Sequence, residues 1–309
     1  MNILVTGKNG QLGKCMQDSS KIDEENIYFF YDRESLDITN TDNVAKVFKE
    51  VKPDIVINCA AYTDVKNAEN EKVKAYNINA DGVANLVKIC REYDCYLLHI
   101  STDFVFDGYK KSPYKEEDKT RPINMYGNTK NEGEKIALSY KKSVVIRTSW
   151  LYSEYGKNFY KTMLNRVTWR EKTNVVNDQI GCPTYAKDLS DFIIQILIKN
   201  KQIFDKSGIY HFSNNGEASW YDFATAIETL KLNFSKKYEP VRKGGGWTVD
   251  FTLGPQRYIY PISTKEFGDK VKRPKYSVLD NSKLETTFNI KNNHWLTGLV
   301  KCMKNDGEI

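Results

Sequence analysis

The chain opens on a short apolar run, residues 2–6, that passes at once into GKNGQLG over residues 7–13. No other stretch restricts the fold as much. A buried strand must end, turn within a few residues and start a helix. Gly7 permits the tight turn, Gly10 lets backbone approach a ligand, and Gly13 lets the helix lie close to the strand. The free N–H groups and dipole of such a helix start suit a pyrophosphate. The spacing is G-x-x-G-x-x-G, and its place at the first strand favours dinucleotide binding over a merely structural turn.

Beyond this turn the chain alternates strand and helix. Residues 27–31 read as a second strand, ending in Asp32 and Arg33. Residues 43–51 place Val44, Val47, Phe48 and Val51 on one helical side, and Pro53 turns the chain into a buried strand at 55–58. Successive strand–helix–strand units predict a parallel sheet with helices on both faces, whose ligands bind beyond the carboxyl ends of the strands. The fold class expected is therefore α/β: a Rossmann-like, doubly wound parallel sheet with a smaller C-terminal α/β domain for substrate. The first domain is assigned residues 1–150 plus about 172–180, and the second 151–171 and 181–305.

The position after the second strand faces the adenosine ribose in such folds. An acid there accepts from the 2′-hydroxyl of NAD, whereas an arginine neutralises the 2′-phosphate of NADP. Asp32 and Arg33 offer both, so NADPH is expected with NADH tolerated. Asp37 is placed to reach the adenine amino group. Ala60 and Ala61, with Tyr62, leave room for a ribose against the backbone. Asn79, in the helical stretch 70–91, is a candidate bridge between backbone and a catalytic lysine.

Composition narrows the class. With 309 residues, 40% hydrophobic and 28% charged, the chain suits a globular fold with a large core. The net charge of +6 is scattered, which argues for neither nucleic acid nor membrane partners. No apolar run approaches the roughly 18 residues of a membrane helix, and a cytoplasmic location is expected. The six Cys contain no CxxC pair and read as reduced thiols. The three His show no metal spacing, and His99, inside an apolar run, reads as a core residue.

Tyr126 and Lys130 stand four apart after Pro122, hence one turn apart on a helix. A cation held near a phenol favours its ionised form and helps it move a proton near neutral pH. Thr102, at the end of the strand around 95–100, adds a hydroxyl. Together Thr102, Tyr126 and Lys130 form a set for carbonyl–alcohol chemistry beside a nicotinamide. Trp150, just past the strand 143–148, is expected to stack on a base or pack on a sugar, and Arg273 to face an anionic diphosphate.

These residues, with the segments 36–39, 58–63, 101–108, 147–150, 158–159, 177–184, 273–274 and 277–280, resemble the extended short-chain dehydrogenase/reductase family, and within it the reductases of dTDP-linked 4-keto-6-deoxysugars. The resemblance runs along nearly the whole chain. It implies an NADPH-dependent reduction of a C4 ketone, with hydride from nicotinamide and a proton from Tyr126. It carries the catalytic roles onto Thr102, Tyr126 and Lys130. For the cofactor it implies Gly7, Asn9, Gly10, Gln11, Leu12, Asp32, Arg33, Asp37, Ile38, Ala60, Ala61, Tyr62 and Lys130. The substrate set it implies is Thr102, Asp103, Phe104, Tyr126, Trp150, Asn158 and Arg273. A dTDP-sugar is the expected partner, and the protein is expected to be a monomer or homodimer.

The chain departs from the family at Phe104, where tyrosine is usual, and at Lys66 and Asn67, which replace an acidic–basic pair. Cys15 and Asp188 stand where some members have magnesium-binding glutamates, so no metal is expected. Residues 241–257, with three glycines and Trp247, read as inserted or divergent. Two other readings stay open: a reductase or epimerase of another nucleotide-linked ketosugar, and a non-catalytic NADP-binding regulatory subunit.

Overall fold

A computed structural model of the chain describes residues 1–235, 241–243, 246–248 and 257–309, with side chains over 1–232 and 257–309. Five strands, β1 (Asn2–Thr6), β2 (Ile27–Tyr31), β3 (Ile55–Asn58), β4 (Tyr96–Thr102) and β5 (Ser143–Thr148), and the strand Gly208–His211 form one sheet. Its order is β2-β1-β3-β4-β5-(Gly208–His211), and every pair is parallel. Leu4 lies between Phe29 and Val56, which fixes the register at the centre. The chain leaves β1 towards β2 and returns to β3 on β1's other side. The gap beyond β1 and β3 is thus a topological switch point, where such sheets bind ligands.

Both faces of the sheet are covered. On one, Ile3, Val5, Ile57 and Ile146 pack against helix α1 (Gln11–Ser20), the segment Ala186–Lys199 and the helix Ser282–Phe288. On the other, Leu4, Val56, Leu97 and Val145 meet helix α2 (Thr41–Val51) and the helices Gly82–Tyr93 and Met125–Leu138. A third core gathers Tyr152, Tyr160, Leu164, Val175, Tyr185, Phe223, Ile259, Trp295 and Leu299 beside the sheet. This is the smaller domain.

The expected boundary between the two domains is redrawn in two places. Residues 186–212 are expected in the substrate domain, yet the segment Ala186–Lys199 packs on α1 and Gly208–His211 extends the main sheet. The strand Thr173–Val176, expected in the first domain, pairs instead with Ile259–Ile262. Apolar strands such as these carry no mark of which sheet they join. Of the divergent segment, Val241–Lys243 and Gly246–Thr248 pair antiparallel, and the rest up to residue 256 lies outside the described residues.

Candidate active site

The turn after β1 is built as its glycines require. Gly7 has φ +71°, and a Cβ on it would lie 2.9 Å from the backbone of Cys59 and Ala60. A Cβ on Gly13 would lie 2.3 Å from the Gly7 carbonyl oxygen, so α1 can sit this close only without one. Gly10 caps α1 with no side-chain acceptor, and the first turn holds no acid. The leading N–H groups therefore remain available to an anion. Leu12 is buried in the core, so it contributes backbone alone to this cradle. A dinucleotide pyrophosphate fits the donor set.

At the end of β2 the charges pair among themselves. Asp32 accepts from Lys8 at 2.9 Å, from Ser35 Oγ at 2.6 Å and from Asn9 at 3.3 Å, and these donors hold its carboxyl far below the usual range. Asp37 accepts from the Thr39 backbone and hydroxyl, and Arg33 Nε stands 3.9 Å from its other oxygen. Arg33 is otherwise exposed, beside an open groove lined by Thr39, Asn70, Val73, Asn77 and Ile78. Ile38 turns its side chain into the core against Gly82. Lys8, which sequence reasoning passed over, lies inside the glycine turn and is the second cation here.

Beyond β3, Ala60 N–H donates to Thr6 Oγ1, and the Tyr62 backbone is clamped by Asn79. Asn79 Oδ1 accepts from Tyr62 N–H at 2.8 Å. Its Nδ2 donates to the Tyr62 carbonyl and to Thr129 Oγ1, both at 3.0 Å. Its amide ties the loop to the Met125–Leu138 helix, and it sits on a π-helical turn, Asn77–Asp81, that aims it there.

Thr102, at the end of β4, hydrogen-bonds Tyr126, and Lys130 follows one turn on in the Met125–Leu138 helix. Asn124 caps their helix by accepting from Gly127 N–H and donates to the Lys272 carbonyl, while Glu69 accepts from Met125 N–H. Tyr126 thus stands in a first helical turn, and a Cβ on Gly127 would lie 2.1 Å from the Phe104 carbonyl oxygen. Phe104 meets Tyr126 edge-on, centroids 5.6 Å apart. Lys130 is buried and donates to the Ile100 carbonyl at 2.6 Å, with His99 Nε2 at 3.5 Å. His99 is fully buried and its Nδ1 meets Asn58 Nδ2 at 3.1 Å, in a chain that continues to Thr6.

The electrostatics differ from the expectation of a cation-lowered phenol. Burial pushes Tyr126 up to about 12, against a hydrogen bond to Thr102 that lowers it. Burial also pushes Lys130 down to about 8, with Glu134 opposing. Burial, with the Asp103 carboxyl adding to it, sets the direction at Tyr126 and favours the protonated phenol. That is the state a proton donor needs.

The substrate candidates divide. Asp103 is 1% exposed and touches Thr102. Trp150, in a left-handed backbone conformation at φ +44°, stacks on Trp220. A Cβ on Gly181 would lie 2.4 Å from the Trp150 ring. Asn158 caps the helix Phe159–Thr168, accepting from Lys161 N–H and donating to Gln11 Oε1 and the carbonyls of Ser153 and Tyr155. Its amide is fully engaged by protein, and it joins the smaller domain to the α1 start. Arg273 Nε donates to Asp269 at 3.0 Å. Asp188 is held by Asn214 and Lys301, and Cys15 is buried. Among the described residues no three His, Cys, Asp or Glu side chains gather to hold a metal ion, and no helix is long and apolar enough to cross a membrane.

The sequence model of the RmlD substrate binding domain family matches residues 1–307. The chain belongs to this family. It is 38% identical over 301 residues to a dTDP-4-dehydrorhamnose reductase of Aggregatibacter actinomycetemcomitans, covering 96% of each, and 35% identical to that of Escherichia coli K12, covering 99% of this chain and 98% of the relative. A crystal structure of the Bacillus anthracis reductase in complex with NADP superposes with TM-score 0.83 at 37% identity, covering 98% of each chain. The family fold is the Rossmann-like parallel sheet described above. A dTDP-glucose 4,6-dehydratase from the same organism shares that fold at 18% identity and TM-score 0.75.

Proposed function

We propose that the protein reduces the C4 ketone of dTDP-4-dehydro-L-rhamnose to dTDP-L-rhamnose, in the cytoplasm, with NADPH as reductant. What supports this is the Thr102–Tyr126 contact at the end of β4, with Lys130 one helical turn on, in a chain so similar along its length to dTDP-4-dehydrorhamnose reductases.

NADPH, when bound, supplies the hydride for the C4 carbon. The N–H groups of residues 11 and 12 at the start of α1 would hold the pyrophosphate, and Arg33 and Lys8 would meet the 2′-phosphate. Lys130, held by the Ile100 carbonyl, would donate to the nicotinamide ribose hydroxyls. Tyr126 gives its proton to the ketone oxygen as the alkoxide forms. Trp150 and Arg273 bound the sugar–diphosphate side and Phe104 the sugar itself, with Asp103 buried behind Thr102.

Purified protein, NADPH and dTDP-4-dehydrorhamnose should give substrate-dependent loss of nicotinamide absorbance and dTDP-L-rhamnose as product. NADPH binding without turnover overturns the reading. Faster turnover of a GDP- or UDP-linked ketosugar replaces the substrate while keeping the reaction.

A further inference from the structure

Asp103 is a buried carboxyl whose hydrogen bonding is incomplete. Its Oδ1 lies 3.0 Å from Thr102 Oγ1, and its Oδ2 is buried with no hydrogen-bond partner. A carboxylate oxygen left bare in the interior is costly, and a neutral carboxyl much less so. Thr102 has one proton to give and two lone pairs. Phe104 N–H already donates to Oγ1 at 3.2 Å. If Asp103 is ionised, its Oδ1 draws the single Thr102 proton away from Tyr126 and the ketone, and Thr102 meets the substrate chiefly as an acceptor. If Asp103 is neutral, its own O–H donates to Thr102 Oγ1, and the Thr102 proton turns towards the ketone oxygen. Two donors, Thr102 and Tyr126, then face the oxygen that becomes negative.

We propose that Asp103 is a positioning residue that works in its neutral form, reversing the Thr102 hydrogen bond so that Thr102 donates to the substrate ketone. This rests on the ketone reduction proposed above. The surroundings favour it. The titratable groups facing Asp103 are Tyr126, on the Met125–Leu138 helix, and Cys182, after the strand Ile180–Gly181; burial keeps both protonated, so neither supplies a counter-charge. Burial raises Asp103 to about 6; the Ser277 hydroxyl, nearby but outside hydrogen-bond distance, Thr102 and the backbone N–H groups of Asp103 and Phe104 pull the other way without overcoming it. The proton on Asp103 is not consumed: hydride adds to C4, Tyr126 protonates the oxygen, and Asp103 keeps its own.

The test is kcat/KM for the sugar nucleotide at saturating NADPH, followed from about pH 5 to 9. The wild type should decline as pH rises through about 6, the loss reaching roughly 10²-fold, the scale of one oxyanion donor. In Asp103→Asn, which keeps a neutral donor of the same shape, that limb should vanish and decline begin only near 8, where Lys130 loses its proton. Infrared difference spectra of the free protein give an independent readout: a protonated-carboxyl band that fades as pH rises and is absent from Asp103→Asn. A wild-type profile flat through pH 6, or the same limb surviving in Asp103→Asn, overturns the proposal. If no sugar turns over, the functional reading falls, and the infrared titration still decides the state of Asp103.

Discussion

Trp150 and Trp220 lie face to face, ring centroids 3.5 Å apart and planes 2° from parallel. Phe159 closes on Trp220 at 4.6 Å, and Gly181 is flush with Trp150. Trp150 therefore does not wait as a free platform for a base. Trp220 covers one face of its ring. Trp220→Ala should release Trp150 and raise KM for the sugar nucleotide roughly 3–10-fold, the range of one aromatic pair, with kcat changed less. Trp220→Phe should recover part of the loss. Steady-state kinetics check this, and the paired-indole signal in circular dichroism should vanish in both variants.

In the proposed reaction Tyr126 gives the proton; burial favours its protonated phenol, and Phe104 meets its ring edge-on. Tyr126→Phe keeps the ring and its packing and removes the hydroxyl. Turnover should fall roughly 10²–10⁴-fold, the usual scale for a lost general acid. NADPH affinity, measured by fluorescence titration, should stay near the wild-type value. Unchanged turnover would refute the assignment.

One turn beyond Lys130, Glu134 meets Arg147 of β5 in a buried bidentate pair, with contacts of 2.8–3.1 Å and Ser101 Oγ donating to the same carboxylate at 2.5 Å. Both side chains are almost wholly enclosed. Removing one partner leaves the other charge buried, which typically costs about 3–5 kcal/mol. Glu134→Gln should lower the urea midpoint accordingly. A change under about 1 kcal/mol, the surface-pair scale, would show that water reaches Arg147.

The sheet was legible because its strands are short apolar runs between glycine, proline and acidic turns, and the turn at 7–13 allows one geometry. The Met125–Leu138 helix was placed by Pro122 and the Tyr126–Lys130 spacing alone. Its buried face carries Gly127, Thr129, Lys130, Asn131 and Glu134, so no apolar periodicity marks it. The partners of these groups were hidden for another reason. His99 against Lys130, Arg147 against Glu134 and Trp220 against Trp150 are contacts between distant segments, and local pattern does not encode them. Asn158 and Asn79 engage their amides within the protein, as a cap and a clamp, which only their partners reveal. A polar residue's identity narrows its chemistry, but only its partners say whether any hydrogen bond is left for a ligand.

Cofactor choice rests on how the charges at the end of β2 are already paired. Asp32 is committed to Lys8, Ser35 and Asn9, so it is poorly free to accept from an NAD 2′-hydroxyl. Arg33 has one distant contact, to Asp37, and its guanidinium is open to solvent. A 2′-phosphate would gain a charge-assisted contact from Arg33 that NADH cannot offer. Arg33→Ala should therefore weaken NADPH binding roughly tenfold, about one charge-assisted hydrogen bond, and leave NADH nearly unchanged. Because the site is exposed, the wild-type preference should shrink as salt is added. Calorimetric titration of both cofactors into wild type and variant decides it. Equal losses for the two would move the 2′-phosphate contact away from Arg33 and leave Lys8 as the cation that reads it.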